Sequence, residues 1–193
     1  AITFWSEDKI KRKVSWSDLI CQVSSMANFL KKKGIRSGDR VAAFLPNMPE
    51  TIIMMLASAS IGAVFSSASP EFGVEGVLDR FGQIEPKILI TTDGYNFNGS
   101  EINIIEKVRE IVKCLPTLQN TIIVPLLNCG NLQKSNDVFL YKDLIKEYHS
   151  DSLEFKKVPL DHPLYIMFSS GTTGKPKCIV HSTGGVLLKH LVE

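Results

Sequence analysis

The chain has 193 residues, of which 44% are hydrophobic and 22% are charged, and its formal net charge is +2. This length supports one domain with a sizeable core and argues against several domains, and the composition is ordinary for a soluble globular protein. The nearly balanced charge singles out no class of partner.

Basic residues cluster at two places near the N-terminus, residues 9–13 and residues 31–33. Acidic residues are mixed through the rest of the chain, and no stacking aromatics interleave with the two clusters in the pattern of a nucleic-acid-binding module. We therefore interpret both clusters as solvated faces and expect no nucleic-acid partner.

One stretch, residues 51–70, carries no charge and is about as long as a membrane-spanning helix. Five serines dilute it, and Gly62 and Pro70 interrupt it. A buried helix followed by a buried strand accounts for it better, so the sequence predicts no membrane span.

The four cysteines, Cys21, Cys114, Cys129 and Cys178, are far apart, with no Cys-x-x-Cys pair and no histidine at metal spacing. This pattern predicts free thiols in a reducing compartment, hence a cytoplasmic location, and no metal site.

The first half of the chain alternates helices and strands. After a short apolar strand and a charged turn in residues 1–14, Ser15 and Asp18 match a capping box that opens a helix, and Gly34 is a C-terminal stop signal. The apolar pattern then predicts strands at 41–45, 63–67 and 87–91 and helices at 50–61 and 74–84.

The second half continues the alternation. We predict a loop at 92–100, helices at 101–115, 139–148 and 186–192, strands at 121–125, 164–168 and 178–180, and polar linkers at 127–137 and 149–161. Alternation of this kind predicts an α/β fold in which helices cover a mostly parallel sheet.

The stretch 169–177 reads Ser-Ser-Gly-Thr-Thr-Gly-Lys-Pro-Lys and follows an apolar run that is typical of a buried strand. Its glycines let the backbone approach a ligand closely, its hydroxyls donate hydrogen bonds to anionic oxygens, and its lysines add positive charge, so it suits a polyphosphate. It is not a Walker A loop, because Ser169 stands where that loop needs glycine and Pro176 where it needs serine or threonine. A flexible surface turn is the alternative interpretation.

The same stretch resembles the phosphate-loop signature of the adenylate-forming enzymes, the superfamily of acyl-CoA synthetases, peptide-synthetase adenylation domains and luciferases. Segments 38–47 and 61–63 resemble the first sheet of that superfamily, and segments 56–90 and 162–185 are similar to the acetoacetyl-CoA synthetase family within it. The resemblance covers nearly the whole chain. It implies that residues 1–193 are part of the AMP-binding N-terminal domain, an internal piece without the C-terminal domain.

The resemblance implies ATP, coenzyme A and Mg²⁺ as cofactors and acetoacetate as the acid. The acid would first be adenylated with release of pyrophosphate, and coenzyme A would then displace AMP. The residues that would hold the β- and γ-phosphates are Ser169, Ser170, Gly171, Thr172, Thr173, Gly174 and Lys177.

No catalytic residue is assigned, because the acyl pocket, the adenine and ribose contacts and the C-terminal lysine of the family match nothing before Glu193. Related acetyl-CoA synthetases place two arginines for coenzyme A where this chain has Phe-Asn-Gly-Ser at 97–100. We therefore carry over no coenzyme A contact, and we expect the chain to be catalytically silent by itself.

Two other functional interpretations stay open. The acid could be acetate or propionate, or the chain could be a truncated, non-catalytic binding isoform. Among single residues, His181 is interpreted as a strand-end histidine that satisfies backbone groups, and Asp79 and Arg80 as a solvated helix edge.

Overall fold

A computed structural model describes residues 1–128, 136–169 and 174–193 of the chain. The strands are β1 Ile2–Ser6, β2 Ile10–Val14, β3 Arg40–Phe44, β4 Val64–Ala68, β5 Ile88–Thr92, β6 Gly94–Phe97, β7 Ser100–Asn103, β8 Asn120–Val124, β9 Val138–Leu140, β10 Pro163–Ser169 and β11 Lys177–Ser182. The helices are α1 Trp16–Lys32, α2 Pro49–Ser60, α3 Val74–Ile84, α4 Ile105–Cys114, α5 Tyr141–Glu147 and α6 Thr183–Val192.

The main sheet has seven strands in the order β11-β10-β4-β3-β5-β8-β9. Every neighbouring pair is parallel except β10 and β11, which are antiparallel. This confirms the predicted α/β fold with a mostly parallel sheet.

Two apolar cores cover the two faces of the sheet. Val41 and Ala43 face a core shared with α1, α2 and α5, whereas Ala42 and Phe44 face a second core shared with α3 and α4. Successive side chains of a strand point to opposite faces, so a strand between two helix layers must be apolar throughout. The apolar run that the sequence shows at 41–45 has this cause.

Helix α1 begins as its sequence predicts. The Ser15 hydroxyl accepts a hydrogen bond from the Asp18 amide at 3.0 Å, and the Asp18 carboxylate accepts one from the Ser15 amide at 3.3 Å. These bonds satisfy helix-end groups that would otherwise lack partners. Gly34 follows the helix with a φ of +76°, a left-handed conformation that glycine adopts without steric cost. Both predicted ends are confirmed.

Two predicted non-strand segments turn out to be parts of β-hairpins. The charged residues after Ser6 form β2, in which the side chains of Lys11 and Lys13 point outward while those of Ile10 and Val14 are half buried. The predicted loop at 92–100 contains β6 and the start of β7, joined at Asn98-Gly99. Asn-Gly is a strong hairpin signal, and both residues have the positive φ that a tight hairpin turn needs.

Two helices begin later than predicted, because short strands take the preceding residues. The helix predicted from residue 101 starts at Ile105, after β7, and the helix predicted from residue 139 starts at Tyr141, after β9. The apolar stripes themselves are confirmed, since Val108 and Ile111 are buried. Most of the predicted linker at 127–137 lies outside the described residues.

The uncharged stretch 51–70 forms most of α2, then β4, as predicted. Across the parts of the chain that the structure describes, no helix combines the length and apolar character needed to cross a membrane.

The turn before β3 depends on Asp39, and this predicts a pH dependence of stability. Its carboxylate accepts a hydrogen bond from the Arg36 amide at 2.8 Å and pairs with Lys87 Nζ at 2.8 Å. Burial by itself raises the pKa of Asp39, but Lys87 and the Arg36 amide outweigh it and hold the pKa below its ordinary value of 3.8. A carboxyl group with a lowered folded-state pKa stabilises the fold above its unfolded-state pKa, and this stabilisation is lost as the pH falls through the folded-state pKa.

We therefore expect Asp39→Asn to lower the free energy of unfolding at neutral pH, and the difference from the wild type to shrink as the pH falls below 3.8. Urea unfolding at a series of pH values measures this difference. A difference that stays constant down to the acid limit would contradict the assignment.

Candidate phosphate-binding site

The predicted site lies in the turn between β10 and β11. Ser169 is the last residue of β10 and pairs with Lys177, the first residue of β11, across the antiparallel ladder. Gly174 lies between them with a φ of +96° and open space around its missing Cβ atom, so this glycine serves the backbone conformation. The other predicted residues, Ser170, Gly171, Thr172 and Thr173, lie outside the described residues.

The loop belongs to a β-hairpin, which separates it structurally from a Walker A loop. In a Walker A site the phosphates sit at the N-terminus of the helix that follows directly. Here β11 follows directly, and α6 begins only at Thr183, with Ser182 as its N-cap. Binding of an anion at this loop therefore has to depend on the loop's own amides, hydroxyls and lysines.

The loop lies at the carboxyl end of β10, the edge of the sheet where α/β proteins bind ligands. It is displaced from the switch point of the sheet, which lies between β3 and β5, because β10 is added outside β4. Strand β10 is held there by its parallel pairing with β4 at residues 165 and 166 and by a hydrogen bond from Ser66 Oγ to the Ile166 carbonyl at 2.8 Å. The strand is less buried than predicted, and Met167 is 55% exposed.

Helix α3 lies against the same hairpin, which corrects the interpretation of Asp79 and Arg80 as a solvated edge. The Asp79 carboxylate is 3.3 Å from Lys175 Nζ. The Arg80 guanidinium lies 4.0 Å from the ring centroid of Phe72 and 6.0 Å from that of Phe168, in β10. Sequence reasoning missed the contacts with Lys175 and Phe168 because they join residues about 90 positions apart.

Lysines dominate the charge at the described part of the loop. Lys175 and Lys177 are both exposed, and Asp79 offsets Lys175. Burial raises the pKa of the next residue, Cys178, so its thiol stays protonated near neutral pH. The site can thus attract an anion, and no described group at the loop is poised as a nucleophile.

Two histidines lie near β10, and only one had a role predicted from sequence. The ring of His181 packs on Tyr165 with centroids 5.1 Å apart, so it contributes to packing between β10 and β11. It is His162 whose ring nitrogen contacts a backbone carbonyl, that of Gly62, at 2.9 Å.

Residues 97–100, for which no coenzyme A contact is predicted, form the β6–β7 turn and its flanking residues. The Gly99 carbonyl accepts a hydrogen bond from Lys9 at 2.9 Å, and the Gly99 amide donates to the Glu7 carboxylate at 3.0 Å. The turn is thus held to the β1–β2 hairpin.

Carboxylates near the loop are the protein groups that could bind Mg²⁺ there. Asp79 is the carboxylate that the described residues place there, and Lys175 already pairs with it. Mg²⁺ is commonly bound through substrate phosphates with few protein ligands, so a single carboxylate that is already paired is compatible with such an ion. Elsewhere, the potential ligand atoms of Cys21, on α1, and of His149 and Asp151, after α5, lie within 4.8 Å of one another.

The three free thiols among the described residues are Cys21, Cys114 and Cys178, in line with the prediction of unpaired cysteines. Cys129 lies outside the described residues.

Comparison with known proteins covers almost the whole chain. Acetoacetyl-coenzyme A synthetase of Rhizobium meliloti (strain 1021) is 49% identical over 195 residues, which span 100% of this chain and 30% of that protein. Acetoacetyl-CoA synthetase of Mus musculus is 46% identical over 94% of this chain and 28% of its own length. The chain thus spans less than a third of the curated relatives that it matches.

The solved structure of acetoacetyl-CoA synthetase from Streptomyces lividans superimposes with a TM-score of 0.88 at 41% identity, over 94% of this chain and 27% of that one. The family described as "AMP-binding enzyme" matches residues 1–191. With a matching fold and a family match over nearly every residue, the chain belongs to the AMP-binding enzyme family.

Proposed function

We propose that this chain supplies the pyrophosphate-binding part of an ATP-dependent acetoacetate–CoA ligase. In that reaction acetoacetate and ATP form acetoacetyl-adenylate and pyrophosphate, and the thiol of coenzyme A then displaces AMP to give acetoacetyl-CoA. The observation that carries the proposal is the β10–β11 loop, which closes with a left-handed glycine and two exposed lysines at the ligand-binding edge of the sheet.

The role of the loop residues follows from their chemistry. Lys175 and Lys177 provide positive charge, and Gly174 turns the backbone without a side chain in the way of phosphate oxygens. Preorganised donors of this kind stabilise the negative charge that develops on the departing pyrophosphate. Mg²⁺, carried by the phosphates, would neutralise part of the same charge. The hydroxyls and amides of 169–173 complete the proposed set.

Acetoacetate is proposed as the acid because the similar proteins are named for it and share 45–49% identity with this chain. No residue of the chain is assigned to the acid or to coenzyme A. Acetate and propionate are the competing acids, and the direct comparison of the three is described below.

Small molecules, and not nucleic acids, are the proposed partners. Part of each basic cluster is engaged within the fold: Arg12 pairs with Glu50, Lys31 pairs with Glu154, and Lys33 lies 4.2 Å from the Phe139 ring centroid. Cations that already have partners offer little to a phosphate backbone. A cytoplasmic location is likewise proposed, supported by the free thiols.

Replacing Lys177 with alanine tests the assignment of the loop. We expect the affinity of the chain for magnesium pyrophosphate, measured by isothermal titration calorimetry, to fall about tenfold, because a charge-assisted hydrogen bond is lost. Lys32→Ala, on the exposed side of α1, is the matched control that makes the same change in net charge. Equal losses in both variants would mean that the effect is non-specific, and the loop would then lose its assignment.

The activity is tested in a hybrid in which this chain replaces the matching segment of the Streptomyces lividans enzyme. ATP–pyrophosphate exchange with acetoacetate is expected to persist in the hybrid, and Lys177→Ala is expected to raise the KM for ATP while leaving the KM for acetoacetate nearly unchanged. The reverse pattern would show that the loop holds another ligand.

The unfused chain is expected to show no exchange. To identify the acid, the exchange rates of the natural full-length protein with acetoacetate, acetate and propionate have to be compared, and a preference for acetate or propionate would overturn the proposed substrate.

A further inference from the structure

Helix α3 has polar contacts with the exit of the phosphate-binding loop that neither packing nor the proposed phosphate chemistry explains. Gln83, near the C-terminal end of α3, donates a hydrogen bond from its side-chain amide to the Pro176 carbonyl at 2.9 Å. Its side-chain oxygen accepts one from the Cys178 thiol, with an S···O distance of 3.6 Å. One side chain thus contacts residues on both sides of Lys177.

The Gln83 amide is itself held in place by α3, because it also donates to the Asp79 carbonyl one helical turn earlier. A side-chain amide has two donor hydrogens and one acceptor oxygen. Here the helix takes one donor and the loop takes the other donor and the acceptor. The Gln83 side chain is exposed to water, yet both its donors and its acceptor bind protein groups, so these contacts fix its position.

Asp79 adds a second contact on the same face of α3, its ion pair with Lys175 at 3.3 Å. Residues 79 and 83 are four positions apart and therefore neighbours on the helix surface. Arg80 reaches Phe168 of β10, before the loop. Helix α3 thereby touches the chain where it enters the loop and where it leaves it.

We propose that Gln83 and Asp79 are positioning residues, which dock the loop exit at 175–178 onto α3 and thereby place Lys177 for the phosphates. The proposal rests on the proposed function for its ligand, whereas the docking itself can be tested without any ligand. In the sheet, Lys177 pairs with Ser169 of β10. The contacts of the neighbouring residues with α3 constrain the position of Lys177 independently of this pairing.

The Cys178 thiol reports the docking directly. Alkylation by iodoacetamide, resolved by peptide mass, gives a rate for Cys178, with Cys21 and Cys114 as internal references. We expect Gln83→Ala to raise the Cys178 rate about fivefold, as loss of one net hydrogen bond implies. We expect Asp79→Asn, which removes no contact of Cys178, to raise it about twofold, as loss of an exposed ion pair implies.

A control variant on the same helix separates docking from the stability of α3. Gly82 has no atom within 4 Å of a Cβ added to it, so Gly82→Ala is expected to raise the unfolding midpoint by roughly 1–3 °C through helix propensity. It should leave the Cys178 rate unchanged. The double variant Gly82→Ala/Gln83→Ala should keep the fast alkylation while regaining the stability.

Binding of inorganic pyrophosphate with magnesium tests the positioning role. Gln83→Ala leaves the net charge unchanged. A loss of pyrophosphate affinity in this variant would therefore come from a displaced loop and not from a weaker electrostatic attraction. We expect a loss of about fivefold, also in the double variant, since one docking hydrogen bond is missing.

Each result decides one part of the proposal. A Cys178 rate that is unchanged in both Gln83→Ala and Asp79→Asn overturns the docking. Faster alkylation with unaltered pyrophosphate affinity overturns the positioning role. If the wild-type chain binds no pyrophosphate while alkylation still responds, the proposed ligand fails and the docking contact stands.

Discussion

Replacing Phe81 with alanine is expected to lower the free energy of unfolding by about 3–5 kcal/mol, the range for truncating a buried aromatic side chain. Phe81 is fully buried in the core between the sheet, α3 and α4, together with Val77, Leu89 and Ile111. Alanine would leave a cavity there that the two helices can close only in part. Urea unfolding followed by circular dichroism measures the change.

Phe81→Leu and Leu78→Ala are the controls for this prediction. Leucine keeps most of the buried volume, so a smaller loss of about 1 kcal/mol is expected. Leu78 lies one position outside the buried stripe and is only half buried, so its truncation should cost less than that of Phe81. A Phe81→Ala chain as stable as the Leu78→Ala chain would show that α3 is not packed as described. The result bears on function, because α3 carries Asp79 and Gln83.

Replacing Arg12 with methionine is expected to destabilise the fold by about 2–4 kcal/mol, because a buried carboxylate loses its charged partner. The two terminal guanidinium nitrogens of Arg12, Nη1 and Nη2, donate to Glu50 at 2.8 and 3.0 Å, and the Glu50 side chain is only 6% exposed. Arg12 also lies 5.0 Å from the Phe4 ring centroid. The pair fastens the N-terminal hairpin to the first turn of α2.

The double variant Arg12→Met/Glu50→Met shows whether Arg12→Met is costly because the ion pair is lost or because the Glu50 carboxylate is left buried without a partner. If the cost of Arg12→Met comes from the unpaired Glu50 carboxylate, removing that carboxylate as well should recover much of the stability. Thermal and urea unfolding of the two single variants and the double variant give the coupling energy. Additive losses in the double variant would mean that the two side chains act independently.

The sequence predicted most elements because their signals are local. The capping box at Ser15 and Asp18 depends on groups three residues apart, and the apolar stripe of α3 repeats every three or four residues. Continuous apolar runs at 41–45 and 88–90 indicate strands covered on both faces. The Asn98-Gly99 pair is a local hairpin signal as well, and the loop prediction at 92–100 was wrong because this pair joins strands β6 and β7.

The loop at 169–177 likewise combines features that are visible locally in the sequence with features that depend on the fold of the whole sheet. Its residue types, its place after an apolar run and its difference from Walker A are all visible in residues 164–177. By contrast, the antiparallel return of β11, which makes the loop a hairpin, depends on which strands pair. Strand pairing is a property of the whole sheet, since β10 pairs with β4, which lies about 100 residues earlier in the chain.

The sequence by itself therefore determined the alternating α/β order, the two apolar faces of the strands, the ends of α1 and the glycine-, hydroxyl- and lysine-rich composition of the loop, from which phosphate binding is proposed. Only the tertiary structure decided that β10 lies outside β4, that Arg12 meets Glu50, and that Gln83 and Asp79 hold the loop exit. The physical reason is distance along the chain. Helix caps and periodic stripes arise between residues a few positions apart, whereas Gln83 and Pro176 are 93 positions apart and are brought together only when the second core forms around Phe81.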